Sequence, residues 1–300
     1  MYIRVLSPFT ASDGENLALY RWPYEDSSKE IEHKDVAPRG IVLLVHGLGE
    51  HAGRYDHVAK ILRSWGFEVR AYDQRGHGHS GGKPGTLPAA DALLNDLADV
   101  VDEVRAQCPT LPLVLLGHSL GGLVVGRFVS LQLRPVEGLV MSSPALDAAM
   151  GAFQKLLLAV LPKLLPNLTV GNGLDAQFIS HDARVIAAYQ ADRFVHDRIS
   201  PRLGKFIADA GPAVIAAAAK WRVPTLVLYA GADRLVSPEG SRRFIEAASM
   251  SRKVAPGIVT GKRFEEMYHE IFNELQSTPV FIELKAWFDQ KFKKKRPVAN

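Results

Sequence analysis

The sequence predicts an α/β fold, with a mostly parallel central sheet flanked by helices and a helical lid inserted between two strands. Three observations predict it. Short, continuously apolar runs recur along the chain, as strands buried on both faces of a parallel sheet require. Segments with helical periodicity lie between these runs. The alternation then stops between residues 145 and 205 before it resumes.

The strand and helix candidates follow one another in a regular order. A hairpin is predicted around Asp13 and Gly14, where residues 3–7 pair with 16–22. Buried strands are predicted next, at residues 41–45, 113–116, 139–141 and 225–229, and the alternating segment 67–72 is a further strand candidate. The clearest helix lies between residues 72 and 113 and has one apolar and one acidic face. The apolar face consists of Leu93, Leu94, Leu97, Val100, Val101 and Val104, and the acidic face of Asp96, Asp99, Asp102 and Glu103.

The lid begins after Pro144. Residues 145–205 contain no convincing strand, and their apolar residues recur at helical spacing. We therefore divide the chain into an α/β core, residues 1–144 and 206–300, and a helical cap, residues 145–205. The apolar cap residues either bury against other cap helices or form a lipophilic wall or a membrane-facing surface, and these roles are compatible. They are Phe153, Leu156, Leu157, Val160, Leu161, Leu164 and Leu165.

The composition is that of a globular protein, with 47% hydrophobic and 23% charged residues. The net charge of +4 comes from the C-terminal residues Lys291, Lys293, Lys294, Lys295 and Arg296, since the rest of the chain without these five charges is at −1. A nearly neutral body gives no reason to expect a nucleic-acid partner. The basic tail is either a solvated terminus or a contact for anionic lipid.

Neither a signal peptide nor a membrane span is evident in the sequence. We expect a cytoplasmic protein, with transient contact between the lid and a membrane surface as an open alternative. The sequence leaves the oligomeric state open.

A Gly-x-Ser-x-Gly pattern follows the strand at 113–116 and opens a helix; it reads Gly117, His118, Ser119, Leu120, Gly121. Between a strand and a helix this pattern describes a nucleophile elbow, the tight turn that exposes a catalytic serine. Side chains at Gly117 and Gly121 would collide with neighbouring backbone, whereas Ser119 projects into a cleft. Ser119 is therefore the predicted nucleophile, and an ordinary helix N-cap is the alternative.

A serine hydroxyl needs a neighbouring base, and in such folds the order along the chain is serine, acid, histidine. His269 is the one histidine beyond the candidate acids and lies in a predicted loop before the last helix. Asp233 directly follows the strand at 225–229 and is the favoured acid; Asp147, after the preceding strand, is the alternative. The carboxylate would fix the imidazole tautomer and stabilise the imidazolium.

The tetrahedral intermediate of this chemistry needs N–H donors that are fixed in advance. The backbone N–H of Leu120 supplies one, and Leu48, in the turn after the strand at 41–45, is the candidate for the other. His77 and His79 lack a partner at metal-ligand spacing. We therefore expect no metal and no organic cofactor, and we interpret these histidines as turn residues behind the catalytic loop.

Together these segments resemble the monoacylglycerol lipase and lysophospholipase branch of the α/β hydrolases, also called the serine aminopeptidase or hydrolase-4 family. The likeness extends from about residue 39 to 274, lid included, and is carried by residues 46–51, 53–55, 72–78, 117–122, 143–144, 231–234 and 268–270. It implies an α/β-hydrolase fold and acylglycerol hydrolysis, with Leu48 and Leu120 as oxyanion donors. It also implies that Glu50, Arg54 and Tyr189 lie near a glycerol pocket. From the residues alone, Glu50 could equally brace its loop by pairing with Arg54.

Two positions depart from the mammalian enzymes of this branch. Phe272 stands where they carry a histidine beside the glycerol pocket, and Val236 replaces a reactive cysteine near the acid. The first departure removes a polar contact for the leaving alcohol and leaves the chemistry unchanged.

The sequence thus predicts a serine hydrolase that cleaves lipid esters, foremost a monoacylglycerol lipase or lysophospholipase, through an acyl-enzyme. The nearest alternative is a short-chain carboxylesterase or peptidase with the same triad. An alternative of another class is a non-catalytic binding protein of the same fold.

Overall fold

The computed structural model describes residues 5–22, 38–147 and 160–293. Its strands are β1 (Val5–Thr10), β2 (Asn16–Trp22), β3 (Ile41–Val45), β4 (Glu68–Tyr72), β5 (Leu113–His118), β6 (Gly138–Ser142), β7 (Val170–Gly171), β8 (Arg198–Ile199), β9 (Thr225–Ala230) and β10 (Val259–Phe264). Eight of them form one sheet in the order β1-β2-β4-β3-β5-β6-β9-β10, and β7 pairs with β8 separately. In the large sheet β2 is antiparallel to both of its neighbours, and all other pairs are parallel. The prediction of a mostly parallel sheet is confirmed.

Helices cover both faces of this sheet. They are α1 (Asp56–Ser64), α2 (Ala92–Gln107), α3 (Leu120–Ser130), α4 (Ala183–Ala191), α5 (Pro201–Ala217), α6 (Pro238–Ser249) and α7 (Thr278–Lys291). Neighbouring residues of one strand belong to opposite cores. Leu43 packs in the core that contains residues of α2 and α3, whereas Leu44 packs in the core that contains residues of α1 and α7. This double burial explains why β3 is apolar at every position.

The first hairpin turns where the sequence predicts. Gly14 has a φ of +90°, which a residue with a side chain rarely adopts, and it lies in the turn between β1 and β2. The first strand, Val5–Thr10, continues past the predicted end at residue 7, and residues 3 and 4 of the prediction lie outside the described residues.

Helix α2 confirms the predicted apolar stripe and corrects one residue of the predicted acidic face. All six stripe residues are buried. Asp96 is buried as well, with 1% of its surface exposed, because Arg75 Nε donates a 2.6 Å hydrogen bond to its carboxylate. A buried ion pair of this kind cannot be recognised from helical periodicity, since the partner comes from another element.

Strand β10 was not predicted from the sequence, because it lies at the edge of the sheet. Only its end residues, Val259 and Phe264, are buried, and the residues between them are partly or fully exposed. An edge strand covered on few sides needs neither a continuous apolar run nor regular alternation.

The described residues between β6 and β9 form several helices and also the short β7–β8 pair, which was not predicted; the division into core and cap stays a prediction. Residues 160–164 are helical; Phe153, Leu156 and Leu157 of the predicted cap helix lie outside the described residues, as do Lys294, Lys295 and Arg296 of the basic tail. Helix α5 runs across the predicted cap boundary at 205, and its buried residues join the main core. None of the described helices combines the length and the apolar character that crossing a membrane would take.

Candidate active site

The turn between β5 and α3 holds Ser119 in a strained conformation. Its backbone angles are φ 53° and ψ −118°, in a region that residues with side chains rarely occupy. The Ser119 N–H donates a 2.9 Å hydrogen bond to the carbonyl of Ser142 on the neighbouring strand. Strain of this kind persists only where the surrounding structure enforces it, and it is typical of functional sites.

The glycines beside Ser119 are required by close backbone contacts. A Cβ at Gly117 would overlap the carbonyl of Gly121, and a Cβ at Gly121 would overlap the carbonyl oxygen of Val45 at the end of β3. The elbow therefore presses against β3, as the pattern predicts, and Ser119 between the two glycines lines the cleft.

Asp233 and His269 meet at the carboxyl end of the sheet. Asp233 follows β9 and accepts a 2.7 Å hydrogen bond from His269 Nδ1 through Oδ2, while its Oδ1 accepts from the N–H groups of Leu235 and Val236 at 2.9 and 3.0 Å. Burial raises the pKa of the Asp233 carboxyl, but His269 and these amides outweigh it and hold the pKa below its ordinary value. The alternative acid, Asp147, instead pairs with Arg243.

Ser119 and His269 line the same cavity. Within the described residues the Ser119 hydroxyl forms no hydrogen bond, so the link between serine and imidazole is open in this structure. The ring of His118 lies beside that of His269, with centroids 4.7 Å apart. Burial and the neighbouring His269 lower the pKa of His118 to about 4, so that its ring is neutral near pH 7.

The turn after β3 leaves one amide free for the cavity. Gly47 N–H donates to Glu50 Oε1 at 2.6 Å, and Gly49 N–H donates to His77 Nε2 at 3.0 Å. Between them, the Leu48 N–H donates to no other described residue, and neither does the Leu120 N–H at the start of α3. Leu48 lines the cavity that contains Ser119. The N–H groups of Leu48 and Leu120 are therefore both available to an oxyanion, and their role as its donors stays a prediction.

Glu50 and Arg54 form part of a buried charged cluster. Arg54 Nη1 donates to Glu50 Oε2 at 2.7 Å, and its two Nη groups bind the carboxylate of Glu270 at 2.7 and 2.8 Å. Tyr55 donates its hydroxyl proton to Glu50 Oε1 at 2.7 Å. Burial raises the pKa of Glu50, but Arg54 and its other neighbours outweigh it and lower that pKa to about 2. The ion pair that the sequence suggested is therefore present.

The predicted alcohol-binding residues do not all face the same space. Glu50 and Tyr189 line the cavity beside Ser119, whereas Arg54 lies behind them, with its guanidinium 4.8 Å from the centre of the Tyr189 ring. Burial raises the pKa of Tyr189 to about 12, so its hydroxyl keeps its proton. The substrate-binding role of the three residues stays a prediction.

Two cavities of different character meet at Ser119. One, of about 360 Å³, is rich in polar groups and includes Glu50, Tyr189 and His269 in its wall. The other, of about 380 Å³, is mostly apolar and is lined by Leu120, Leu161, Leu168, Val170, Ile199, Ile207 and Val236, among others. Both walls include Leu48, Ser119, Asn172, Leu174 and Leu235.

The positions that depart from the mammalian enzymes fall in different places. Val236 lines the apolar cavity. Phe272 is buried at 4% exposure and packs on Phe281, with ring centroids 5.4 Å apart, so it lines neither cavity. In the part of the chain that the structure describes, no group of three or more histidine, cysteine or acidic residues is arranged to hold a metal ion.

The hydrolase-4 family model, described as serine aminopeptidase S33, matches residues 36–276. The chain belongs to this family. A monoacylglycerol lipase of Mycolicibacterium smegmatis is 37% identical over 84% of this chain and 89% of the relative. The phospholipase YtpA of Bacillus subtilis is 30% identical over 84% of this chain and 96% of the relative. The crystal structure of a monoacylglycerol lipase from Paleococcus ferrophilus, 34% identical, superposes with a TM-score of 0.75 and covers 85% of this chain and 96% of that one.

The fold is accordingly the α/β-hydrolase fold, as predicted, and the protein is a serine hydrolase of the lipase and esterase group. Sequence reasoning missed Glu270 in this hydrolase, although it stands next to His269 and binds Arg54 through both oxygens. The position of Glu270 beside the predicted base His269 could have indicated a role, but its partner Arg54 comes from a distant segment and could not be recognised from the sequence. The His77 contact to Gly49 was missed for the same reason.

Proposed function

We propose that this hydrolase cleaves carboxylic esters of lipids with a single acyl chain, foremost monoacylglycerols, through an acyl-enzyme on Ser119. The observation that carries the proposal is the meeting of an apolar and a polar cavity at that residue. An acyl chain is stabilised by the apolar walls, by about 0.8 kcal/mol for each buried methylene, and a polyol keeps its hydrogen bonds in the polar cavity. The ester carbonyl then lies at the junction, beside Ser119 and Leu48.

Acylation begins when His269 Nε2 removes the hydroxyl proton of Ser119 and the oxygen attacks the ester carbonyl. The negative charge on the carbonyl oxygen is stabilised by the N–H groups of Leu48 and Leu120. Asp233 keeps the proton on Nδ1, which leaves Nε2 as the base, and it stabilises the imidazolium that forms. The imidazolium gives its proton to the alkoxy oxygen as the carbon–oxygen bond breaks, and the alcohol departs.

Deacylation repeats the sequence with water. His269 removes a proton from the water, whose oxygen attacks the acyl-enzyme, and then returns a proton to Ser119 Oγ as the fatty acid is released. The serine–imidazole hydrogen bond must form before the proton is transferred. Such bonds are commonly long or unformed before the substrate binds.

The polar cavity favours an uncharged alcohol. Among the described residues of its wall there is no lysine or arginine, so it offers no mobile cation to a phosphate head group. Both Glu50 and Tyr189 line this cavity, and in the proposal they contact the glycerol hydroxyls, Tyr189 as a neutral group. Arg54 supports both from behind.

The test is hydrolysis of a lipid-ester panel by the wild type and by Ser119→Ala. We expect cleavage of long-chain monoacylglycerols in preference to acetate and butyrate esters, and loss of roughly four or more orders of magnitude in kcat/KM in the variant. A clear preference for acetate or butyrate would defeat the lipid assignment and leave the short-chain esterase. Activity that survives in Ser119→Ala would defeat the proposed nucleophile.

A further inference from the structure

The loop after β4 contains a buried histidine that the reaction scheme does not use. His77 has 3% of its surface exposed and lies behind the turn that carries Leu48. Its ring packs between those of His46 and His196, with centroid distances of 5.1 and 4.5 Å. The sequence suggested only a turn residue at this position.

Both ring nitrogens of His77 have a defined partner. Nε2 accepts the 3.0 Å hydrogen bond from Gly49 N–H, and Nδ1 lies 3.0 Å from the carbonyl oxygen of Arg75. Because Nε2 accepts, the ring proton must be on Nδ1, which donates to Arg75. The contacts therefore specify one tautomer of a neutral imidazole. Burial lowers the pKa of His77 well below its ordinary value, in keeping with a neutral ring.

The loop that carries His77 is itself fixed. Asp73 accepts hydrogen bonds from the N–H groups of Ala52 and His79, both at 2.8 Å, and from the hydroxyl of Tyr20 at 2.6 Å. Gly78 has a φ of +54°, and a Cβ there would overlap the Asp73 carboxylate. These contacts leave the His77 ring little freedom to move.

The turn that carries Leu48 is bound on both sides of the free amide. Before Leu48, Gly47 N–H is held by Glu50; after it, Gly49 N–H is held by His77 and the Gly49 carbonyl accepts a 2.9 Å hydrogen bond from His196 N–H. Gly49 has a φ of +76°, so its peptide is turned in a way that needs such support. The direction of the Leu48 N–H depends on both neighbouring peptides.

We propose that His77 is a positioning residue for the oxyanion hole. By accepting from Gly49 N–H it fixes the peptide after Leu48, so that the Leu48 N–H points at the carbonyl oxygen of the substrate. This role rests on the proposed function, because it requires an ester carbonyl at Ser119. His77 touches neither substrate nor reacting atoms, and it acts through the turn.

The test compares three variants of the full chain. His77→Leu keeps an apolar volume and removes the acceptor, His77→Gln returns an amide oxygen near the Nε2 position, and His79→Leu is the matched control in the same loop, where the side chain is exposed. We expect His77→Leu to lower kcat by about 10²–10³-fold, as for loss of one oxyanion donor, with KM changed less than about threefold. His77→Gln should restore at least tenfold of that loss, and His79→Leu should match the wild type.

A second measurement separates positioning from a general structural role. A trifluoromethyl ketone with an acyl tail adds to Ser119 and places an oxyanion in the hole, whereas the corresponding secondary alcohol cannot. Affinity for the ketone should fall in parallel with kcat in His77→Leu, and affinity for the alcohol should not. Should the leucine variant fail to fold, the same comparison is made between His77→Gln and His77→Asn, whose shorter side chain cannot reach Gly49.

The outcomes are distinct. Unchanged kcat and ketone affinity in His77→Leu would overturn the positioning role, and so would a loss of kcat that glutamine does not rescue or that leaves ketone affinity intact. A wild type that cleaves none of the esters and binds no ketone would instead overturn the proposed function.

Discussion

Two opposing electrostatic effects act on the pKa of His269. Burial lowers its pKa, but the hydrogen-bonded Asp233 carboxylate and the nearby Glu270 outweigh that effect, and the pKa lies above its ordinary value of 6.5. The adjacent His118 stays neutral and adds no second positive charge beside the imidazolium. The residue is thus stabilised in the protonated form that the proposed acylation step produces, but it is also protonated more readily in the resting enzyme.

The first prediction concerns the pH dependence that follows. The base must be neutral, so kcat/KM should fall as the pH drops through the His269 pKa, with an inflection above 6.5. In the inactive Ser119→Ala background, NMR titration of the His269 ring should give the same value. Asp233→Asn in that background removes the carboxylate and should move the titration to lower pH. An inflection at or below 6.5, or no movement in Asp233→Asn, would contradict this account.

At the scale of elements, the elbow between β5 and α3 shows how close backbone contacts require glycine at particular positions. Helix α3 begins directly after Ser119 and contains three glycines, which are poor helix formers. Two of them are explained by contact with the backbone: Gly121 presses on β3, and Gly122 lies against Pro144. Gly126 differs, because a Cβ there would lie 3.0 Å from the Met141 sulfur, which is the flexible part of a side chain.

The second prediction uses this difference. Gly121→Ala should lower the free energy of unfolding by roughly 3 kcal/mol or more and abolish ester hydrolysis, because the Val45 carbonyl cannot move without disturbing β3. Gly126→Ala, in the same helix, should leave the free energy of unfolding nearly unchanged. The higher helix propensity of alanine stabilises the variant by up to about 1 kcal/mol, and the close contact of its Cβ with the Met141 sulfur destabilises it by a similar amount. Denaturant unfolding of both variants is the measurement. Equal destabilisation by the two variants would show that the close contact with the Val45 carbonyl is not the reason for glycine at position 121.

The elements also show what a sequence can and cannot reveal. Strands β3, β5, β6 and β9 were predictable because burial on both faces makes them apolar throughout, and the elbow was predictable because its glycines sit at fixed offsets from Ser119. Strand β10 was not, because only its ends are buried. Contacts between distant segments were also hidden: the Asp96 partner, the Glu270 clamp on Arg54 and the acceptor for Gly49 N–H each depend on the fold rather than on local pattern.

At the scale of the whole molecule, the segment between β6 and β9 helps to build the site. Ile179 accepts a 2.8 Å hydrogen bond from the N–H of Glu270, next to the proposed base His269, and His196 donates to Gly49 beside the proposed oxyanion donor Leu48. Ser180 donates its hydroxyl proton to the Asn273 carbonyl at 2.9 Å. The same segment therefore lines both cavities at Ser119 and holds the two loops that carry His269 and Leu48.

The division into an apolar and a polar cavity has a consequence for specificity. Ile207 on α5 lines the apolar cavity, and Tyr189 on α4 lines the polar one. Neither residue belongs to the wall that the two cavities share, so a change at either one should alter recognition of one half of the substrate. Acyl length and leaving alcohol should then be separable properties of this hydrolase.

The third prediction tests that separation. Ile207→Trp fills part of the apolar cavity, and each methylene kept out costs about 0.8 kcal/mol, so excluding two lowers the laurate-to-butyrate ratio of kcat/KM roughly tenfold. Ile207→Val, which adds space, should keep the wild-type ratio or raise it. Tyr189→Phe should change the ratio between glycerol and methyl esters of one acyl chain and leave the chain-length ratio unaltered. If Tyr189→Phe shifts chain-length preference as strongly as Ile207→Trp does, the two cavities act as one, and the assignment of acyl chain and alcohol to separate spaces is wrong.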